Sequence, residues 1–284
     1  MDLLVVGGSG FLGRELVRLG LQQGRTVAAT YLTSPGGAAA RWHRLDITDR
    51  GEVAALLASV RPSLVVNAAY RQSDWSTTAD GAMHVAAAAR EVGARLVHVS
   101  SEAIFSGLAG PYDETAKPDP VSAYGAAKAA AEVAVAGLDP ASVIARTSLI
   151  VGRHESMTER FVHGLADGSR SGVLFTDELR CAVHVTDLAT ALLELGDQDA
   201  SGVHHLAGTD AVSRHELGVL IARRDGLDET KLPTGLRADT AVPGPIDVRL
   251  DSTATQARLD VRLRGAREFL TGGAVEGFSS SGTN

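Results

Sequence analysis

A chain of 284 residues, 44% hydrophobic and 21% charged, can bury one large core or a core with a satellite before packing forces a split. A formal net charge of −7, from 27 Lys+Arg against 34 Asp+Glu with no long basic run, argues against a nucleic-acid backbone as the main partner. The single cysteine, Cys181, excludes an internal disulfide framework and a multi-cysteine metal site, and aromatics at 4% leave little for a groove of stacked rings.

The N-terminus, Met1-Asp2-Leu3-Leu4-Val5-Val6, has no basic start and no small-residue cleavage site. No apolar run approaches the roughly 20 residues of a membrane helix. The expected location is cytoplasmic, with no membrane partner. Residues 3–6, 26–29, 64–66, 96–99 and 143–145 are short apolar runs bounded by Gly, Pro or polar residues, the pattern of buried strands. Residues 11–23, 51–60, 79–92 and 122–137 carry helical spacing between them. That alternation predicts an α/β fold whose parallel sheet is covered on both faces.

After Arg146 the pattern loosens. Residues 152–171 read as a loop and one helix, 173–185 as short extended pieces, and 186–195 as a helix with Asp187 in its first turn. Ser213 followed by Glu216 has capping-box spacing for a helix over 213–224. Pro233, Pro243 and Pro245 mark an irregular stretch, 262–270 a last helix, and 271–284 a frayed tail rich in Gly and Ser. The expected division is a dinucleotide-binding domain over 1–148 and 182–208, and a smaller substrate lobe over 149–181 and 209–270, set beside the carboxyl edge of the sheet.

Gly7-Gly8-Ser9-Gly10-Phe11-Leu12-Gly13 stands directly after the first strand and opens the first helix. Glycines there permit a tight turn and let backbone N–H groups approach a pyrophosphate at the helix N-terminus, so Gly7, Ser9, Gly10, Phe11, Leu12 and Gly13 are candidate cofactor contacts. The second strand ends Ala28-Ala29-Thr30-Tyr31-Leu32-Thr33-Ser34, without the acid that usually bonds a ribose 2′-hydroxyl. Its absence removes the charge that would repel a 2′-phosphate. Thr30, Thr33 and Ser34 offer hydroxyls and Arg14 or Arg41 a cation, which favours NADPH while admitting NADH; alternatively the hydroxyls cap a loop and discrimination is poor. Asp46-Ile47 can face the adenine amino group, although capping by Thr48 or Asp49 explains that stretch equally well.

Tyr124 and Lys128 stand four apart on a helix that Ser122 can cap, and a cation beside a phenol lowers its pKa toward neutrality. Alone, Tyr-x-x-x-Lys is a common accident. Here it follows Val97-His98-Val99-Ser100-Ser101-Glu102, a strand ending in hydroxyls at the sheet's carboxyl edge. A serine there can bond a carbonyl oxygen while tyrosine supplies a proton and a nicotinamide a hydride.

With these motifs in order, the chain resembles the extended short-chain dehydrogenase/reductase family, in particular its dTDP-4-dehydrorhamnose reductase (NDP-4-keto-sugar reductase) branch. The resemblance runs from Leu3 to about Leu270. It rests on the glycine loop, Val66-Asn67-Ala68-Ala69-Tyr70, the 97–107 stretch, Tyr124-Gly125-Ala126-Ala127-Lys128, Ala145-Arg146-Thr147-Ser148, 183–189, 247–252 and Leu263-Arg264-Gly265. It implies a Rossmann-type doubly wound sheet with a smaller C-terminal substrate-binding lobe, and NADPH-dependent reduction of the 4-keto group of a nucleotide-activated 6-deoxysugar. Ser101, Tyr124 and Lys128 would be catalytic, with Tyr124 the general acid, and Tyr124 and Lys128 would also touch the cofactor. Asn67, Ala68 and Ala69 would line the cofactor, and Tyr70 and Glu102 would meet a nucleotide-sugar; separately, Arg180, just before 181–184 in the smaller lobe, can hold the diphosphate if that segment borders the cleft. A homodimer is compatible with this reading.

Departures fall in the sugar pocket. Glu102-Ala103 stands for the family's Asp and aromatic, Leu149 for a Trp, and His84 for an Asn. Glu102 without a companion acid disfavours the family's dehydratases, while an NDP-sugar epimerase stays an alternative. A non-catalytic NADP-binding subunit, like the relative that accompanies methionine adenosyltransferase, is the reading from another class. Nine histidines invite a metal, but His204-His205 point to opposite faces of a strand and the others lack ligand spacing, so none is expected. Arg146 is expected in a structural ion pair.

Overall fold

Leu3 and Val5 point into one apolar cluster and Leu4 and Val6 into another, so the first strand is buried on both faces. The computed structural model describes residues 1–37, 39–241 and 244–272. In chain order it begins β1 (Leu3–Val6), α1 (Phe11–Gln22), β2 (Val27–Tyr31), β3 (Arg41–Arg44), α2 (Arg50–Val60), β4 (Leu64–Asn67), α3 (Gly81–Glu91) and β5 (Arg95–Val99). It continues α4 (Ala123–Leu138), β6 (Val143–Thr147), β7 (Ile150–Val151), α5 (Met157–Ala166), β8 (Leu174–Phe175), β9 (Leu179–Arg180) and β10 (Val183–His184). The remainder is α6 (Val185–Asp197), β11 (Gly202–Leu206), β12 (Val212–Ser213), α7 (Arg214–Arg224), β13 (Thr234–Gly235), α8 (Thr253–Gln256) and α9 (Ala266–Thr271).

Seven parallel strands form the sheet in the order β11-β6-β5-β4-β1-β2-β3. The chain builds outward from β1 to β3, then crosses back to β4. The crevice at the carboxyl ends of β1 and β4 is therefore the point where open α/β sheets take ligands. Apolar residues of α1 and α6 cover one face, and those of α2, α3 and α4 the other. A third cluster joins Val162 and Leu165 of α5, Leu217 and Ile221 of α7, Leu270 of α9, Leu174 and Leu232. No helix among the described residues is long and apolar enough to cross a membrane.

Differences from the sequence reading have local causes. The second strand starts one residue late because Asp2 Oδ2 accepts hydrogen bonds from both the N–H and the hydroxyl of Thr26. β3 was not expected: Arg41-Trp42-His43-Arg44 has no apolar alternation, and it pairs only with β2, as an edge strand whose Trp42 ring meets Tyr31 edge-on. The last helix begins at Ala266 because the Asp210 carboxylate accepts the Ala266 and Arg267 N–H groups, capping it from another segment. On α7 Ser213 accepts the Glu216 N–H, but the Glu216 carboxylate pairs with Arg267; the reciprocal box forms on α5, between Ser156 and Glu159. The expected tail lies outside the described residues from 273 onward, and Thr271 closes α9.

Candidate active site

The glycine loop is shaped by close approach. Gly7 has φ +81°, and a Cβ there would stand 2.8 Å from the Ala69 backbone; one at Gly13 would stand 2.1 Å from the Gly7 carbonyl oxygen. Gly10 caps α1 with no side-chain hydrogen bond, and the first turn carries no acid. Free N–H groups and an uncompensated dipole thus face the crevice in a cradle any side chain would fill, and the pyrophosphate of a dinucleotide fits it. Thr30 lies beneath this cradle: it is buried, and its hydroxyl accepts the Gly7 N–H at 2.9 Å. Asn67 is also buried, its amide spent on His98 and on the Ala69 N–H, so it shapes the turn that Gly7 packs on. Asp46 accepts from the Thr48 N–H and hydroxyl, Ile47 packs beneath Gly81, and Asp49 caps α2. Neither Asp46 nor Ile47 lines the cavities described next.

A cleft of about 830 Å³ runs from Gly10, Phe11, Leu12 and Gly13 past Ala68 and Tyr70 to Ser101, Glu102, Tyr124 and Lys128. Its convergence depends on how α4 docks. Ser122 accepts the Gly125 N–H and starts the helix, setting Tyr124 and Lys128 one turn apart. A Cβ on Gly125 would lie 2.0 Å from the Ala103 carbonyl oxygen, so only glycine lets α4 press against the turn after β5. There Ser101 accepts the Ala103 N–H at 3.2 Å, and its hydroxyl is close enough to the Tyr124 phenol to influence its proton. Ser100 is separated from it: its hydroxyl donates to Glu132 in the interior.

The electrostatics differ from the expected pattern. Burial raises the Tyr124 phenol above its ordinary range, Tyr70 and Glu102 add to that, and the Ser101 hydroxyl opposes it. The expected lowering by Lys128 is not found, because that ammonium donates to the Val99 carbonyl at 2.9 Å and stands 5.2 Å from the centre of the Tyr70 ring. Burial lowers Lys128 itself to about 8, with Glu132 pulling the other way. Tyr124 therefore stays protonated at neutral pH, but as a weaker acid than an ordinary phenol. The Tyr70 ring, half exposed at the mouth, lies 5.8 Å from that of Tyr124.

Glu102 is buried at the cleft wall and pushed up to about 7 by desolvation, against the charge of Arg180 at 3.1 Å. The Ser148 hydroxyl beside it opposes that rise, and both residues line the cleft. Arg180 does not line it. Its guanidinium is spent on Glu102, Glu178 and the carbonyls of Leu179, Pro245 and Ile246, so the diphosphate role expected of it has no free donor face.

Besides Lys128, the cations on the cleft are Arg14, Arg160, Arg170 and Arg214, and of these arginines the sequence marks only Arg14. Arg160 and Arg170 make no ion pair among the described residues, whereas Arg214 stands 3.9 Å from Glu178. A Cβ at Gly164 would come within 2.7 Å of the Arg170 stem, so that glycine lets Arg170 lie across α5. Met157, Phe161 and Leu149 add an apolar wall. Arg146 forms a buried ion pair with Glu132 at 2.9 Å, and His204 and His205 bond Thr255 and the Asp251 carbonyl.

The family model described as the RmlD substrate binding domain matches residues 1–272. A dTDP-4-keto-6-deoxy-D-glucose reductase of Streptomyces niveus is 33% identical over 237 residues, 79% of each chain. A dTDP-4-dehydrorhamnose reductase of Mycobacterium tuberculosis is 30% identical over 260 residues, 86% of this chain and 82% of its own. Among solved structures, a hypothetical dTDP-4-dehydrorhamnose reductase from Sulfolobus tokodaii superposes with a TM-score of 0.80 at 27% identity, covering 93% of this chain and 97% of the other.

Proposed function

The chain belongs to the RmlD substrate binding domain family, and from that premise we propose that it is an oxidoreductase that reduces the 4-keto group of a nucleotide-activated, dTDP-linked 6-deoxysugar with NADPH. The observation that carries this reading is one cleft lined at once by the glycine loop, Ser101, Tyr124 and Lys128. The relatives named above are reductases of such sugars.

The nicotinamide, when bound, supplies a hydride to the carbonyl carbon. Gly10–Gly13 and the open first turn of α1 hold the pyrophosphate. The Ser101 hydroxyl orients the carbonyl oxygen, and Tyr124, kept protonated by burial, donates its phenolic proton to that oxygen. Lys128 ties α4 to the end of β5 through Val99, holding Tyr124 beside Ser101. Arg170 and Arg214 face the diphosphate, and Glu102 and Ser148 offer oxygens to sugar hydroxyls. Positioning of the two reactants accounts for much of the rate such a site provides.

Mixing NADPH with a panel of dTDP-4-keto-6-deoxysugars and following loss of nicotinamide absorbance tests the reaction. In Tyr124→Phe, kcat should fall by about 10²–10⁴, the usual worth of a general acid, with NADPH affinity unchanged. Undiminished turnover removes Tyr124 from the mechanism.

A further inference from the structure

Beyond the reacting groups lies a second cavity of about 690 Å³, lined by Ser9, Thr33, Ser34, Gly36 and Gly37 on one side and by His154, Glu155 and Arg160 on the other, with Arg14 between. It lies at the end of β2, where this class of fold takes the ribose 2′ position of a dinucleotide. β2 itself brings no acid there. Glu155 does, from the segment before α5: its Oε2 meets Arg14 Nη2 at 2.5 Å, while Arg14 Nη1 donates to the Ser9 carbonyl.

That reach is built into the backbone. Arg153 and His154 both have φ of 58°, a left-handed conformation that costs non-glycine residues energy and persists only when it is held in place. Two contacts hold it: the ion pair of Arg153 with Glu15 of α1 at 3.1 Å, and His154 Nδ1 against the Asp225 carboxylate after α7 at 2.9 Å. Gly152 precedes them with φ 138°, and Ser156 follows as the cap of α5. Glu155 is thus carried across the crevice by a constrained segment, yet the pair it forms is open to water, with Arg14 and Glu155 side chains 43% and 51% exposed. Such a pair is weak and exchanges readily for another anion.

We propose that Glu155 is a cofactor-specificity residue: it supplies from across the cleft the carboxylate that β2 lacks, and it occupies Arg14, so that the chain accepts a free ribose 2′-hydroxyl as well as a 2′-phosphate. A 2′-hydroxyl donates to Glu155 and leaves the Arg14 pair intact. A 2′-phosphate must draw Arg14 away and lie against a carboxylate, with Arg160 as the remaining cation. The inference rests on the dinucleotide reading given above.

The test is equilibrium titration of the purified chain with NADPH and with NADH, without sugar substrate, followed by quenching of tryptophan fluorescence. In Glu155→Gln the ratio of the two dissociation constants should move toward NADPH by about threefold to fivefold, the size an exposed charge pair can exert. The shift should shrink with added salt. A ratio that stays unchanged, or moves toward NADH, overturns the role of Glu155 and leaves the dinucleotide reading standing. A wild-type chain that binds neither nucleotide overturns both. Because the Glu155 side chain is half exposed, an unaltered thermal midpoint is expected and shows that the variant is folded.

Discussion

On the sheet side of the cleft, Arg146 and Glu132 pair at 2.9 Å with side chains only 4% and 6% exposed, and Glu132 also takes the Ser100 hydroxyl. On the α5 and α7 side, Glu155 pairs in water with Arg14 of α1, and Arg160 and Arg170 have no ion-pair partner among the described residues. The first wall spends its charges internally, on holding β5, β6 and α4 in register beneath Ser101 and Tyr124. The second leaves cations available to a ligand. One wall is built to stay still, the other to be satisfied on binding.

Substitution can break that contrast, and the largest effect is expected on the sheet side. Glu132→Ala leaves Arg146 buried without its partner, and stability to denaturant should fall by about 3–5 kcal/mol. The solvent-facing pair Arg262–Glu268, 67% and 41% exposed, is the control: Glu268→Ala should cost no more than about 0.5 kcal/mol. Equal losses would refute the distinction between the walls.

A smaller effect is expected across the cleft. Arg170→Met should raise KM for the sugar nucleotide about tenfold, as loss of one charged contact does, while the unfolding midpoint and NADPH affinity stay put. A change in stability with KM untouched would make Arg170 a structural residue.

The smallest effect sharpens the boundary, at Glu102. Burial raises this carboxyl from 4.5 to about 7, so it is protonated below that pH and ionised above it. An ionised Glu102 opposes negative charge developing on the oxygen beside Tyr124, so reductive kcat/KM should fall severalfold as pH rises through about 7. In Glu102→Gln that step should vanish from the pH profile; its persistence would assign the titration to another group.

How much of this could be read beforehand follows from the same division. Strand–helix alternation and double-sided apolar strands announce the parallel sheet, and β3 escapes because an edge strand needs no apolar pattern. Spacing marks Tyr124 and Lys128 and the family resemblance marks Ser101, and the three line one cleft because each sits on an element whose position the sheet dictates. The lowering of Tyr124 by Lys128 was misjudged for a tertiary reason: the ammonium is held by the Val99 carbonyl, and burial governs the phenol. Arg180 stands out beside 181–184, but no local pattern shows which guanidinium meets Glu102 and which, like those of Arg170 and Arg214, faces the cleft.

The amino-acid order alone determined the βα alternation, the glycine loop that only a close-approaching backbone requires, and the helical spacing of Tyr124 and Lys128. These depend on backbone geometry repeated every few residues, which a short stretch of chain encodes. Tertiary structure decided the burial that sets the Tyr124, Lys128 and Glu102 protons, the partners of Arg146 and Arg180, and the meeting of Arg14 with Glu155, 141 residues apart. Desolvation and charge pairing act between groups brought together only by folding, and no window of sequence contains both members.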